Sequence, residues 1–104
     1  MIFSDNIIAA LNIADYKVKV RAIKAYHKYL KKAKLDDDIL IDRFYEDYED
    51  FRYAPKDDNF LEVNRAVRSM ENILESADNY NPLLYLEMED VLKPVLGKLL
   101  GDEA

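Results

Sequence analysis

The chain has 104 residues, of which 50% are hydrophobic and 35% charged, with a formal net charge of −6 and no cysteine. This composition excludes wholesale disorder, disulfide scaffolds, thiolate zinc sites and cysteine nucleophiles. Only two glycines and three prolines are present, which disfavours turn-rich β architectures. We therefore predict an all-α fold, a compact bundle of four to five helices that forms one domain over residues 1–104.

The N-terminal third predicts two helices. Apolar residues recur every three or four positions after Ser4, and this first helix ends near Asp15. Asp15 is the expected N-cap of a second helix that extends to about Ala33. Its first turns alternate apolar and basic residues, as a strand would. From Arg21 onward the spacing is helical and the segment is rich in Ala, Lys and Leu, so we interpret it as a helix.

The rest of the chain predicts three more helices. Three aspartates begin a third helix over about residues 36–53, and a loop containing Pro55 separates it from a fourth over about residues 60–78. A fifth helix follows over about residues 82–100. We expect it to be kinked or broken at Pro94, because the proline ring clashes with the preceding turn.

The fifth predicted helix is apolar over more of its circumference than one packing face needs. Leucine, valine and methionine residues form two adjacent rows between Leu84 and Leu100. In one interpretation the helix lies centrally, with neighbours on both sides. In the other, a second copy of the chain covers one flank, which predicts a homodimer through Leu84–Leu100.

The charges are segregated along the chain. Residues 1–35 carry a net charge of +6, and residues 36–104 carry −12. Five cations of the second helix are spaced four, three, four and three residues apart, so they share one face. This stripe can bind the phosphates of a nucleic acid, pair with carboxylates of this chain or another subunit, or simply be solvated. Overall acidity argues against nucleic acid. The stripe consists of Lys17, Arg21, Lys24, Lys28 and Lys31.

The third predicted helix combines carboxylates with aromatic residues. Phe44, Tyr48 and Phe51 share one face, as core residues would, and in that interpretation the carboxylates only solubilise the helix. Alternatively, the helix binds another protein that has a basic surface, or imitates the charge of a nucleic acid, since tyrosine anchors interfaces and acidic rims steer basic partners. The candidate partner-binding residues are Asp42, Tyr45, Glu46, Tyr48, Glu49, Asp50 and Tyr53.

The sequence offers few groups for catalysis. His27 is the one histidine, too few for a serine triad or a histidine-rich metal site, and we expect it at the core boundary. Both glycines, Gly97 and Gly101, are close to the C-terminus, where they do not form a phosphate-binding loop. We predict no catalytic residue, no metal site and no cofactor.

Two carboxylate pairs provide an enzymatic alternative. Glu46 and Glu49 are three residues apart, and so are Glu75 and Asp78. Two helices would then each present two carboxylates to magnesium. This arrangement resembles the motif of the all-α nucleoside triphosphate pyrophosphohydrolases, and the resemblance implies magnesium-dependent release of pyrophosphate.

Targeting features are also missing from the sequence. Residues 1–15 lack a basic start and a continuous apolar stretch, and no window approaches the ~20 apolar residues of a membrane span. We therefore expect a cytoplasmic protein. Our leading hypothesis is a small acidic non-enzymatic protein that binds a macromolecular partner, as an inhibitor or adaptor of phage or mobile-element origin. A nucleic-acid-binding adaptor using the basic helix 16–33 is the alternative, and the pyrophosphohydrolase is third.

Overall fold

The computed structural model describes residues 3–34, 38–76 and 82–99, and it has six helices and no strand among them. The predicted all-α fold is confirmed. The helices form one compact globule with a Cα radius of gyration of 13.2 Å, close to that of a domain of about 100 residues. The helices are α1 (Phe3–Ile13), α2 (Tyr16–Ala33), α3 (Ile39–Tyr53), α4 (Phe60–Glu75), α5 (Pro82–Val91) and α6 (Lys93–Leu99).

Aspartate N-caps begin both charged helices. The Asp15 carboxylate accepts a hydrogen bond from the Val18 N–H at 2.9 Å, and the Asp38 carboxylate accepts one from the Leu40 N–H at 2.8 Å. Each bond satisfies a donor that has no partner within its helix. α2 is helical from Tyr16 onward, so the apolar and basic alternation of its first turns does not produce a strand.

The core is formed where α2 and α4 pack together, with α5 and α1 around them. α2 packs on α4 and α5, α3 packs mainly on α4, and α6 packs on α1. α5 contacts both α1 and α2, which matches the interpretation of a central helix with neighbours on two sides. The largest fully buried side chains are those of Tyr26, Phe44, Ile7, Leu11, Ile23, Leu30, Ile41, Met70, Ile73, Met88 and Leu92.

The C-terminal helix is broken, as the proline predicted. α5 ends at Val91, Leu92 forms a turn, and α6 begins at Lys93, so one expected helix becomes two. Pro94 has no N–H to donate to the preceding turn, and its ring disfavours a continuous helix. The side chain of Leu92 is fully buried at the break. Neither of these helices, nor any other described one, is long and apolar enough to cross a membrane.

Candidate functional site

The five predicted cations of α2 all lie on its exposed side. The opposite side of the helix enters the core through Val18, Ala22, Ile23, Tyr26 and Leu30. The four-three spacing therefore produces a continuous cationic surface, roughly 21 Å long at the helical rise of about 1.5 Å per residue. We call this surface the basic face, and it consists of Lys17, Arg21, Lys24, Lys28 and Lys31.

Five of the seven predicted partner-binding residues lie on the exposed side of α3. Its opposite side is buried through Ile41, Phe44 and Phe51. Tyr53 is the aromatic residue of the exposed set, and 73% of its surface is accessible. We call this set the acidic face, and it consists of Asp42, Glu46, Glu49, Asp50 and Tyr53.

The other two predicted partner-binding residues, Tyr45 and Tyr48, are half-buried on the flank that faces α2. The Tyr48 ring stacks on His27, with ring centroids 3.7 Å apart and planes inclined by 5°. The Lys31 Nζ lies 4.6 Å from the centroid of the Tyr45 ring, a cation–π contact. These two tyrosines contribute to the packing of α2 against α3, which leaves Tyr53 as the aromatic member of the exposed surface.

Aromatic contacts rather than ion pairs join α2 to α3. Tyr26 and Phe44 meet edge to face at 5.3 Å between ring centroids. Across the described parts of the two helices there is no ion pair, and the pair in this region, Arg52 with Glu49 at 3.7 Å, lies within α3. Ion pairing between the basic helix and the acidic helix, one of the three interpretations of the basic stripe, is therefore not formed among the described residues. The rings occupy the interface, and both charged faces are directed outward.

His27 lies within this aromatic contact and is half-buried. Burial lowers its pKa below the ordinary value of 6.5, Lys31 and Arg52 lower it as well, and Glu49 opposes them. The imidazole is therefore neutral at neutral pH, when it stacks on Tyr48. This agrees with the predicted position at the core boundary.

A groove of about 450 Å³ begins beside the acidic face, at the end of α3. Glu49, Asp50 and Glu62 contribute three carboxylates, against the single cation Arg65. The groove lies next to the exposed ring of Tyr53 and to Pro55. An apolar ring bordered by carboxylates suits the long side chain of a lysine or arginine.

The seam between α3 and α4 holds a polar groove that the sequence analysis missed. It measures about 460 Å³. The Ser69 hydroxyl donates a hydrogen bond to the Asp47 carboxylate there. The spacing of Asn64, Arg65, Arg68 and Asn72 on α4 was the available signal, but it was obscured by the acidity of this half of the chain. The groove is lined by Arg43, Asp47, Asn64, Arg65, Arg68, Ser69 and Asn72.

Three of the four carboxylates of the enzymatic alternative lie within the described residues. Glu46, Glu49 and Glu75 are exposed, and Asp78 lies outside the described residues. In the part of the chain that the structure describes, no group of three or more potential ligands is arranged to hold a metal ion. Glu46, Glu49 and Glu75 therefore form no such group among the described residues.

Most of the described apolar side chains between Leu84 and Leu100 are at least partly buried against other helices of the same chain. Met88 and Leu92 are fully buried, and Val91, Val95 and Leu96 are half-buried. Leu86 remains 61% exposed. The side chain of Leu84 and the whole of Leu100 lie outside what the structure describes.

Comparison with protein-family models, with curated proteins and with solved structures gave no match.

Proposed function

We propose that this protein binds a partner protein with a basic surface through the acidic face of α3, and that it acts as an inhibitor or adaptor without catalysing a reaction. One observation carries the proposal: the acidic face is exposed, and the cations of α2 do not neutralise it. A surface that its own chain leaves uncompensated is available to an external partner.

The carboxylates of this face are largely free of ion pairs. Glu49 pairs with Arg52. Asp42, Glu46 and Asp50 form no ion pair with the described residues. Such charges produce a negative potential that steers a cationic partner and speeds its association.

Tyr53 supplies an anchor at the end of the acidic face. The Arg52 guanidinium lies 5.2 Å from the centroid of the Tyr53 ring, so this ring is already in cation–π contact with an arginine. Tyrosine and arginine are the residues in which interface energy concentrates. A partner arginine that enters the groove beside Tyr53 and Pro55 would also meet Glu62.

The spacing of the charges favours a partner that normally binds nucleic acid. The four carboxylates of the acidic face, from Asp42 to Asp50, are spread over roughly 12 Å of helix. That is a mean spacing of about 4 Å per charge, close to the ~3.4 Å per phosphate of one DNA strand. A protein whose cations follow a phosphate backbone would find a similar charge density on α3.

The test is a charge reversal at matched net charge. The double variant Glu46→Lys with Asp50→Lys alters the acidic face and leaves the Glu49–Arg52 pair intact. Its control, Glu87→Lys with Asp90→Lys, makes the same charge change at exposed residues of α5. We expect the α3 variant to bind a labelled arginine-rich peptide about tenfold more weakly and to lose its partner in affinity purification from the source cell.

The control variant should retain both the peptide and the partner. If both double variants weaken binding equally, only net charge matters and the acidic face is not the site. Retention of the partner by the α3 variant at full strength would likewise contradict the proposal.

Nucleic acid binding through the basic face is the second candidate. It is supported by the exposure of all five cations, none of which forms an ion pair with the described residues. We expect the affinity for a duplex oligonucleotide to fall steeply with salt. Lys24→Glu with Lys28→Glu should abolish it, and the matched control Lys93→Glu with Lys98→Glu should retain it. An absence of binding at low salt would exclude this candidate.

A further inference from the structure

A third concave surface lies between the first half of α2 and the end of α3, and we call it the α2–α3 groove. Its volume is about 400 Å³, within the range of sites for small organic ligands. Lys24 comes from α2, Arg52 from α3, and Lys56 and Asn59 from the loop that follows α3. Three separate chain segments therefore contribute to one site.

Asn59 has an unusual role in this groove. It is the N-cap residue of α4, but its side chain makes no capping hydrogen bond. Instead its Oδ1 accepts a hydrogen bond from the Tyr16 hydroxyl at 2.5 Å. The side chain is only 5% exposed. Capping normally occupies an asparagine in this position, whereas the Asn59 side chain is bound to Tyr16 and lines the groove.

The Asn59 amide nitrogen is a donor without an acceptor among the described residues, on a residue that lines the groove. Nδ2 donates no hydrogen bond to any of the described residues. An unpaired donor on a groove-lining residue is available to an acceptor of a bound molecule.

The charge of the groove identifies that acceptor as an anion. Lys24, Arg52 and Lys56 line the groove, and no carboxylate lies among its lining residues. Arg52 also contacts Glu49 at 3.7 Å, which leaves the two lysines as the uncompensated cations. The chain as a whole repels anions, since its net charge is −6. A small groove lined by cations is a place where it attracts them. Phosphate oxygens accept from lysine, arginine and amide donors at once.

Aromatic side chains complete the groove. Tyr16 and Tyr48 line it together with the cations. Tyr48 is held flat against His27, and Tyr16 is held edge to face against Phe60 at 5.2 Å. Rings that are fixed by neighbours bind a planar ligand without losing conformational freedom.

We infer that the α2–α3 groove binds a small organic phosphate that carries a flat ring, of the nucleoside monophosphate class. Lys24, Lys56 and the Asn59 amide hold the phosphate, and Tyr16 and Tyr48 contact the ring. This site is distinct from the acidic face. It shares only Lys24 with the basic face.

The test is an NMR titration of the whole chain with adenosine monophosphate, and with adenosine and inorganic phosphate as separate arms. The informative variant is Asn59→Asp, which removes the donor, keeps an acceptor for the Tyr16 hydroxyl and retains a good N-cap residue. Asn64→Asp makes the same change at an exposed position of α4 and is the control.

We expect adenosine monophosphate to shift the resonances of Lys56 and Asn59, and both partial ligands to bind about tenfold more weakly. Asn59→Asp should lose at least about tenfold in affinity, and Asn64→Asp should bind like the wild type. Equal binding of adenosine would overturn the role of the phosphate. Equal binding of inorganic phosphate would overturn the role of the ring.

Wild-type affinity in Asn59→Asp would overturn the site itself. If Asn59→Asp loses its helical circular dichroism, the Lys56→Gln variant tests the site instead. Lys56 is in the exposed loop and does not contact the core, so its substitution should leave the fold intact. Unchanged affinity in Lys56→Gln then overturns the proposal. Loss of affinity in Lys24→Gln and in Lys28→Gln to the same extent would also overturn it, since Lys28 belongs to the basic face alone.

Discussion

His27 shows how one residue acquires its properties from the helix that packs against it. Its ring stacks on Tyr48, and burial together with Lys31 lowers its pKa below 6.5. The folded protein therefore keeps the imidazole neutral at pH values where the unfolded chain protonates it. As the pH falls below 6.5 the unfolded state binds more protons, so this residue makes stability decrease.

We predict that the free energy of unfolding of the wild type declines over the interval in which the pH falls from above 6.5 to the lower folded-state pKa of His27, and levels off below it. His27→Gln has no imidazole to protonate, and its stability should depend less on pH over this interval. Urea denaturation of both proteins at each pH provides the measurement. Parallel curves for the two proteins would show that His27 titrates alike in the folded and unfolded states.

Glu71 is a half-buried carboxylate with the opposite sign of pH dependence. Burial raises its pKa above 4.5, against the lowering effect of Arg68 and of a hydrogen bond from Asn12. The folded state therefore favours the protonated form, and stability is lost as the pH rises through the folded-state pKa. At neutral pH the cost of burying the ionised group is fully present.

Glu71→Gln removes this cost and keeps an acceptor for Asn12. We expect it to raise the free energy of unfolding at neutral pH, by less than about 1 kcal/mol because the site is partly solvated. Glu75→Gln, at an exposed residue of the same helix, should change it less. Thermal unfolding of the two variants would contradict the prediction if Glu71→Gln were the less stable protein.

Periodicity predicted which residues of α3 are buried but not what its flanks contact. The seven-residue spacing of Phe44 and Phe51 correctly placed both residues on the buried side of α3, and Tyr48 between them is half-buried. The spacing did not indicate that Tyr45 and Tyr48 would contact α2, because tertiary packing decides how α2 is rotated about its own axis. The Tyr16–Asn59 hydrogen bond joins residues 43 apart. No local pattern encodes such a contact.

At the scale of elements, the helix boundaries followed from local chemistry. Asp15 caps α2 and Asp38 caps α3, and each helix begins close to where the aspartates predicted it. Pro94 separates α5 from α6. These features depend on backbone groups within a few residues, so they are readable from sequence. The kind of contact that α2 makes with α3 could not be predicted from the sequence. Charge complementarity suggested ion pairs, whereas the described contact is aromatic.

The α2–α3 contact should depend most on Phe44. Its side chain is 0% exposed, and its ring lies 5.3 Å from Tyr26 and 6.2 Å from Tyr48. We predict that Phe44→Ala lowers the free energy of unfolding by about 3–5 kcal/mol, through lost burial and a cavity. Phe60→Ala, at a side chain 62% exposed, should cost about 1 kcal/mol at most. Chemical denaturation measures both, and equal losses would mean that α3 is not anchored through this ring.

At the scale of the whole molecule, charge is separated in space as well as along the chain. The basic face and the acidic face both point outward and do not neutralise each other in the described residues. The order of residues along the chain divides the charge into +6 and −12. It does not predict where these charges lie in space, because that depends on which side of each helix is buried. Arg43, Arg65 and Arg68 add a positive area within the acidic half, which the net charge conceals.

Self-association also depends on the whole surface. Met88 and Leu92 are already buried within the chain, so an apolar dimer through Leu84–Leu100 has Leu86 as its most exposed described side chain. Leu86 borders a hollow of about 700 Å³ that includes Ala25 and Tyr29 of α2. A second copy that inserts its own Leu86 there would form a symmetric contact.

We predict that the wild type sediments above 12.2 kDa as its concentration rises, and that Leu86→Lys remains at the monomer mass. Leu61→Lys, at an exposed leucine of α4, is the control and should still associate. Added salt should not dissociate an apolar dimer. A contact between the basic face of one copy and the acidic face of another would instead weaken as salt screens the charges. Salt-sensitive association that survives Leu86→Lys would therefore assign the interface to the charged faces, and a monomer at every concentration would exclude both.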